Sequence, residues 1–151
     1  MKNFESIDDI LDFAINEEQK AVDLYTNLAA SAKTEDVKTV FLEFAKEEIE
    51  HKARLTTIKN NGLFTMKPEQ VIDLKISDYS VVSELNEGST YADALIFAMK
   101  KEKAAFKLYT KLAERAPNND LKNVFLALAS EESKHKLRFE IEYDEFVLRE
   151  N

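Results

Sequence analysis

The sequence predicts an all-α protein, a four-helix bundle made from one helical hairpin used twice. Three observations carry that prediction. The 151 residues include only two glycines and two prolines, while 33% are charged and 44% hydrophobic, a composition that favours long helices with few turns. Apolar residues recur at steps of three and four along four stretches, which places them on one face of an α-helix. Residues 18–55 also align on 102–139 without a gap, an offset of 84, with 19 of 38 positions identical. At this length one domain over 1–151, with a single core, is expected.

The first helix is expected to start at Ser6, where Ser6-Ile7-Asp8-Asp9 resembles a capping box with Asp in place of Glu, and to run to about Ala32. Thr34 is the N-cap expected for the second, which keeps its period to about Ile58 before Asn60-Asn61-Gly62 stops it. Together they form a hairpin over about residues 6–60. The third helix starts near Thr90, again with an acidic residue, Asp93, three positions on. Pro117-Asn118-Asn119-Asp120 then turns the chain into the fourth, which extends to roughly Leu148, so the second hairpin spans about 90–149.

Between the hairpins, residues 61–89 hold Pro68, a turn at Pro68–Val71 and a β-leaning run from Val71 to Ile76. A connection this long needs a topological reason. In a bundle that reason is a crossover that carries the chain back along the helices, so that the second and third run parallel. Leu63, Phe64, Val71, Ile72, Leu74, Ile76 and Tyr79 are then expected to lie against the outside of the helices.

Composition excludes several functions. A net charge of −8 without a basic stripe argues against a nucleic-acid partner. The absence of cysteine removes disulfides, thiolate metal sites and thiol nucleophiles, so any metal must be held by oxygen and nitrogen. No stretch approaches 18 uncharged residues, and the N-terminus mixes acidic with apolar positions, so no membrane association and a cytoplasmic location are expected.

The chemistry lies in the repeat. The first helix's stripe reads Leu11, Ala14, Glu18, Ala21, Tyr25, Leu28, Ala32, and the third repeats it as Leu95, Ala98, Glu102, Ala105, Tyr109, Leu112, Ala116. The second carries Val37, Phe41, Phe44, Glu48, His51, Leu55, Ile58, and the fourth Leu121, Phe125, Leu128, Glu132, His135, Phe139. His51 and His135 are the two histidines of the chain. Glu18 and Glu48 are centred on Lys33, at the first turn, and Glu102 and Glu132 on Pro117, at the second. All four glutamates therefore fall at one height if the crossover aligns the hairpins. A Glu and a His three apart project from one helix face and can serve neighbouring metal ions.

An unpaired carboxylate in such a core costs several kcal/mol, and four would exceed a stability margin of roughly 5–15 kcal/mol. Two divalent cations neutralise four carboxylates. Oxygen donors with two imidazoles suit iron, or manganese, better than a structural zinc, which would enter as an adventitious occupant. Tyr25 and Tyr109 read first as core aromatics; two turns from Glu18 and Glu102 on the same faces, they are also within reach of a hydrogen bond to a ligand. Glu17, Glu47, Glu50 and Glu131 fall off the stripes and are expected to face solvent.

On these residues the chain resembles the rubrerythrin branch of the ferritin-like superfamily: Glu-x-x-Ala-x-x-x-Tyr on the first and third helices, Glu-Glu-x-x-His on the second and fourth, and a long crossover with Ile76-Ser77-Asp78-Tyr79. The resemblance covers essentially the whole chain. It implies a ferritin-like bundle with two iron ions, bridged by Glu48 and Glu132, with Glu18 and Glu102 as terminal ligands and His51 and His135 each on one iron. It further implies reductive cleavage of hydrogen peroxide, or oxidation of Fe(II) by peroxide or O2. Full-length rubrerythrins carry a four-cysteine rubredoxin-like domain; with no cysteine here, electrons would come from a separate donor such as a rubredoxin. Rubrerythrins usually also have a further carboxylate about one turn after the first on the third helix, where this chain has Ala105 and Phe106. The remaining readings are iron storage, delivery or sensing, and a bundle retaining only a relic of the site. A homodimer is expected from apolar residues such as Phe97, Phe106 and Val147, with exchange of hairpins through the crossover as a second arrangement.

Overall fold

The computed structural model describes residues 3–150. Helices α1 (Ile7–Ser31) and α2 (Glu35–Asn60) form the first hairpin, and α4 (Tyr91–Arg115) and α5 (Asn119–Glu150) the second. The crossover contains a short α3 (Pro68–Ile72) and a 3-10 turn at Ile76–Asp78.

Local chemistry sets the helix ends where the sequence places them. Thr34 Oγ1 accepts from the Val37 N–H at 3.2 Å, and Asn118 Oδ1 from the Leu121 N–H at 2.9 Å. At Thr90 the capping box is reciprocal: its hydroxyl accepts from the Asp93 N–H, and Asp93 accepts from the Thr90 N–H. At Ser6 the box is displaced by one residue, because Ser6 Oγ accepts from Asp9 N–H but the Asp9 carboxylate accepts from Glu5 N–H. Gly62, at φ +60°, ends α2: its N–H donates to Lys59 O, and that of Leu63 to Ile58 O.

The hairpins are antiparallel to one another. Lys33, beyond the end of α1, lies 5.7 Å from the ring centroid of Tyr91, the first residue of α4. At the other end Ile10 and Leu11 share a core cluster with Leu108 and Leu112. Hence α2 runs parallel to α4, and the crossover must span the bundle's length. It does so by burying Phe64, Val71, Leu74 and Tyr79, with Phe64 edge-on to Phe125 at 5.4 Å.

Residues 71–76 correct the sequence reading. The run that leans towards β is α3 followed by a turn, because its buried residues are Val71 and Leu74, three apart as on a helical face. Ile72 is 71% exposed and Leu63 48%, so these two do not pack on the helices as expected.

The interior divides into two apolar clusters. One holds Ile10, Leu11, Leu55, Ile58, Leu112 and Phe125; the other holds Leu28, Val37, Phe41, Leu95, Ala98 and Phe139. The polar layer between them is where the repeated motifs meet.

Candidate metal centre

The six predicted residues converge. Glu18, Glu48, His51 and Glu132 form one group, and Glu48, Glu102, Glu132 and His135 a second, with ligand atoms in each within 4.8 Å of one another. Glu48 and Glu132 belong to both. All six are at most 2% exposed. The repeat explains this: each hairpin contributes one single Glu and one Glu-x-x-His at a common height, and the antiparallel arrangement of hairpins brings the two halves face to face.

The histidines present Nδ1 inward. His51 Nδ1 lies 3.0 Å from Glu132 Oε1, 3.6 Å from Glu18 Oε2 and 3.8 Å from Glu48 Oε1. His135 Nδ1 mirrors it at 3.0 Å from Glu48 Oε1 and 3.8 Å from Glu102 Oε2. Both Nε2 atoms point outward into carboxylates of the opposite hairpin, His51 to Glu131 and His135 to Glu47. An Nε2–H held by a carboxylate fixes the ring's orientation and leaves the Nδ1 lone pair for a metal.

Glu47 and Glu131, expected to be solvated, are therefore half-buried partners of the histidines. They stay off the stripe of their own helices yet reach across the α2–α5 gap. Glu17 is also misjudged by its phase: it pairs with Lys101 at 2.7 Å, a lysine only 7% exposed at its side chain. Glu50 is exposed as expected. One further charge lies on the α5 stripe, three residues beyond Phe139: Glu142, fully buried, accepts from Tyr91 O–H at 2.8 Å and from Arg149 at 3.3 Å, tying the start of α4 to the end of α5.

The two tyrosines differ. Tyr109 O–H donates to Glu18 Oε1 across the bundle, whereas Tyr25, equally buried, has no partner for its hydroxyl and sits edge-on to His135 with ring centroids 6.4 Å apart. Ala105, where the resemblance would place a further carboxylate, lines a small cavity beside the glutamates.

Without metal, burial and neighbouring charges favour protons on Glu48, Glu102 and His51. Burial raises Glu48 well above its ordinary pKa, reinforced by the charges of Glu132 and Glu18. Glu102 is raised by burial and then by Glu132. Burial opposes charge on His51, but its carboxylate neighbours, Glu132 first and then Glu18, prevail and push it up to about 11. Burial alone would raise Glu132 too, yet the close approach of His51, Glu48 and Glu102 holds it below the usual range. Tyr109 is raised by burial and by Glu18, so its hydroxyl stays a donor.

Glu18 Oε2, both oxygens of Glu48, Glu102 Oε2, Glu132 Oε1 and both Nδ1 atoms are buried without hydrogen-bond geometry to any partner. Seven oxygen and nitrogen donor atoms gathered in one buried layer are what a pair of divalent cations would satisfy. The donor set fits such a group.

Comparison with known proteins decides the family. The rubrerythrin family model matches residues 9–82 and 93–151. The chain belongs to the rubrerythrin family. A ferritin-like–encapsulin shell fusion protein from Pyrococcus furiosus is 32% identical over 108 residues, 72% of this chain, while the chain spans only 29% of that relative's length. Among solved structures, a hypothetical protein from Pyrococcus furiosus superposes with TM-score 0.72 at 26% identity, over 92% of this chain and 89% of the other. A Thermotoga maritima protein described as a ferritin-like diiron-carboxylate protein superposes with TM-score 0.76 at 21% identity, over 96% and 99%. This rubrerythrin-family chain thus has the ferritin-like fold that the duplicated motif implies. Among the described residues, no helix is long and apolar enough to cross a membrane.

Proposed function

We propose that this rubrerythrin-family chain is a non-haem di-iron oxidoreductase that reduces hydrogen peroxide, oxidises Fe(II), or does both. The observation that carries the reading is the pair of four-residue groups sharing Glu48 and Glu132. In this reading two iron ions would be held by the two groups that share Glu48 and Glu132, one also using Glu18 and His51 and the other Glu102 and His135. When bound, the pair of Fe(II) ions supplies the two electrons that cleave an O–O bond.

The chain's own residues do the rest. Glu131 and Glu47 hold the imidazoles with Nδ1 inward. Tyr109 keeps one oxygen of Glu18 hydrogen-bonded and so fixes which oxygen faces the ions. The apolar clusters on both sides exclude bulk water, which strengthens each electrostatic contact within the layer. A separate protein, of the rubredoxin kind, would return electrons, and a homodimer is the assembly we favour.

The test is anaerobic loading with Fe(II) followed by rapid mixing with hydrogen peroxide or O2. Either oxidant should be consumed in proportion to bound iron; consumption no faster than with iron-free protein would end the redox reading. A second reading is iron uptake for storage, supported by the Pyrococcus furiosus relative in which a ferritin-like part is fused to an encapsulin shell. It predicts continued iron uptake beyond the two sites when the chain is enclosed in a shell. Saturation at the sites alone would remove it.

A further inference from the structure

Two hollows meet at the seam between α1 and α4. The inner one, about 20 Å3, is walled by Glu18, Glu48, Glu102 and Glu132 together with alanines such as Ala14 and Ala21. The outer one, about 550 Å3, is a groove between the helices and crossover residues 80–83. Among the described residues, only Phe13, Glu17, Val81 and Lys101 line both, so these four side chains stand between the outer groove and the carboxylate layer.

The polar half of that partition is unusual in its origin. Glu17 and Lys101 are 84 residues apart, the offset of the repeat, so they occupy one position in the two copies and face each other where the hairpins meet. Identical residues there would repel or leave a gap; divergence to opposite charges lets them close it. Glu17 Oε2 binds the buried Lys101 ammonium at 2.7 Å, while Oε1 faces the exposed Lys20 at 3.5 Å. Lys101 also lies 5.6 Å from the Phe97 ring centroid. The pair joins side chains rather than backbone, so it can part without unfolding a helix.

We propose that this seam is the route by which a small neutral oxidant reaches the site, and that the Glu17–Lys101 pair with Phe13 and Val81 is its size filter. The proposal rests on the oxidoreductase reading above. An inner space of about 20 Å3 is little more than one water-sized molecule requires, roughly 10–15 Å3. It takes O2 or hydrogen peroxide after modest side-chain movement and turns away hydrated cations and bulky hydroperoxides.

The test uses zinc-loaded protein with 13C-methyl alanine and dissolved O2 as a paramagnetic probe in NMR, so it stands apart from any turnover assay. Ala14 and Ala21 line the route, while the similarly buried Ala29, Ala45 and Ala129 do not and serve as controls for core access and for folding. Oxygen-induced relaxation should be greater at Ala14 and Ala21 than at the controls. It should rise roughly threefold in Lys101→Ala, the population change expected on losing one partly buried ion pair. Glu17→Gln, which keeps the bulk, should give a smaller rise. No excess at Ala14 and Ala21 in the parent protein, or an excess unchanged by Lys101→Ala, would overturn the route. Failure of the oxidoreductase reading would show instead as unconsumed oxidant in the iron-loaded protein, with this relaxation pattern intact.

Discussion

Burial first, and then the charge of neighbouring carboxylates, decides the state of Glu48 and Glu102 in the central layer. Because Glu48 and Glu102 keep their protons in the folded metal-free protein above the value of 4.5 at which unfolded glutamates release them, folding takes up protons there. His51, held up to about 11 against 6.5, acts in the same direction. A folded state that binds more protons than the unfolded one loses stability as pH rises. The melting temperature of metal-free protein should therefore fall between about pH 5 and pH 8, and the increment restored by metal should grow over the same range, since ligation requires these groups deprotonated. Calorimetry with and without Zn(II) across that range checks both trends. At the outer nitrogens, Glu131→Gln and Glu47→Gln should each weaken metal binding about 10- to 100-fold, the usual effect of removing a carboxylate behind a ligating histidine. Competition against a chelator measures it; an unchanged affinity would mean that the outward pairs do not orient the rings.

The six central residues were legible in the sequence because they sit on the stripes, and the stripe is a property of one helix read alone. Glu47, Glu131 and Glu17 were misjudged for the same reason: phase says where a side chain starts, not how far a glutamate reaches across a gap to another helix. Two signals were available. Glu47 and Glu131 are identical in both copies despite lying off the stripe, and Glu17 and Lys101 share one repeat position with opposite charge.

At the scale of elements, the caps were readable because they depend on a few neighbouring residues. Gly62 is the sharpest case. Its φ of +60° and the bonds from Gly62 and Leu63 back to Lys59 and Ile58 need a left-handed residue, although there is open space where a Cβ would go. Gly62→Ala should thus cost about 1 kcal/mol through backbone strain alone, a drop of roughly 2–4 °C in melting temperature for a chain of this size, with metal stoichiometry unchanged. The crossover was harder to read. Val71–Ile76 has strand-like composition, but it is anchored by Val71 and Leu74 against helices whose positions no local pattern contains, and tertiary packing overrides the propensity.

Over the whole molecule, the duplication links fold to site. One hairpin supplies three of the six central residues and half of a core; two hairpins, antiparallel across an approximate twofold relation, close both at once. This is why residues equidistant from Lys33, and those equidistant from Pro117, meet at one height. The symmetry is also broken in telling places. Tyr109 reaches Glu18 while Tyr25 has no partner, Glu17 meets Lys101, and Glu142 stands where the first hairpin has Ile58, which serves the apolar core instead. Identity between the copies does not reveal those differences; of them, the opposite charges at Glu17 and Lys101 are legible in the repeat.

We propose that the buried layer is a two-ion site integral to the fold. Anaerobic titration of metal-stripped protein with Fe(II), followed by metal analysis and thermal melting, addresses it most directly. Binding should saturate at two ions per chain with a clear rise in melting temperature, and Glu48→Ala, which removes an oxygen donor shared by both groups, should abolish the second ion and most of the rise. Fewer than two ions in the parent protein, or a melting temperature indifferent to iron and to chelator, would contradict it.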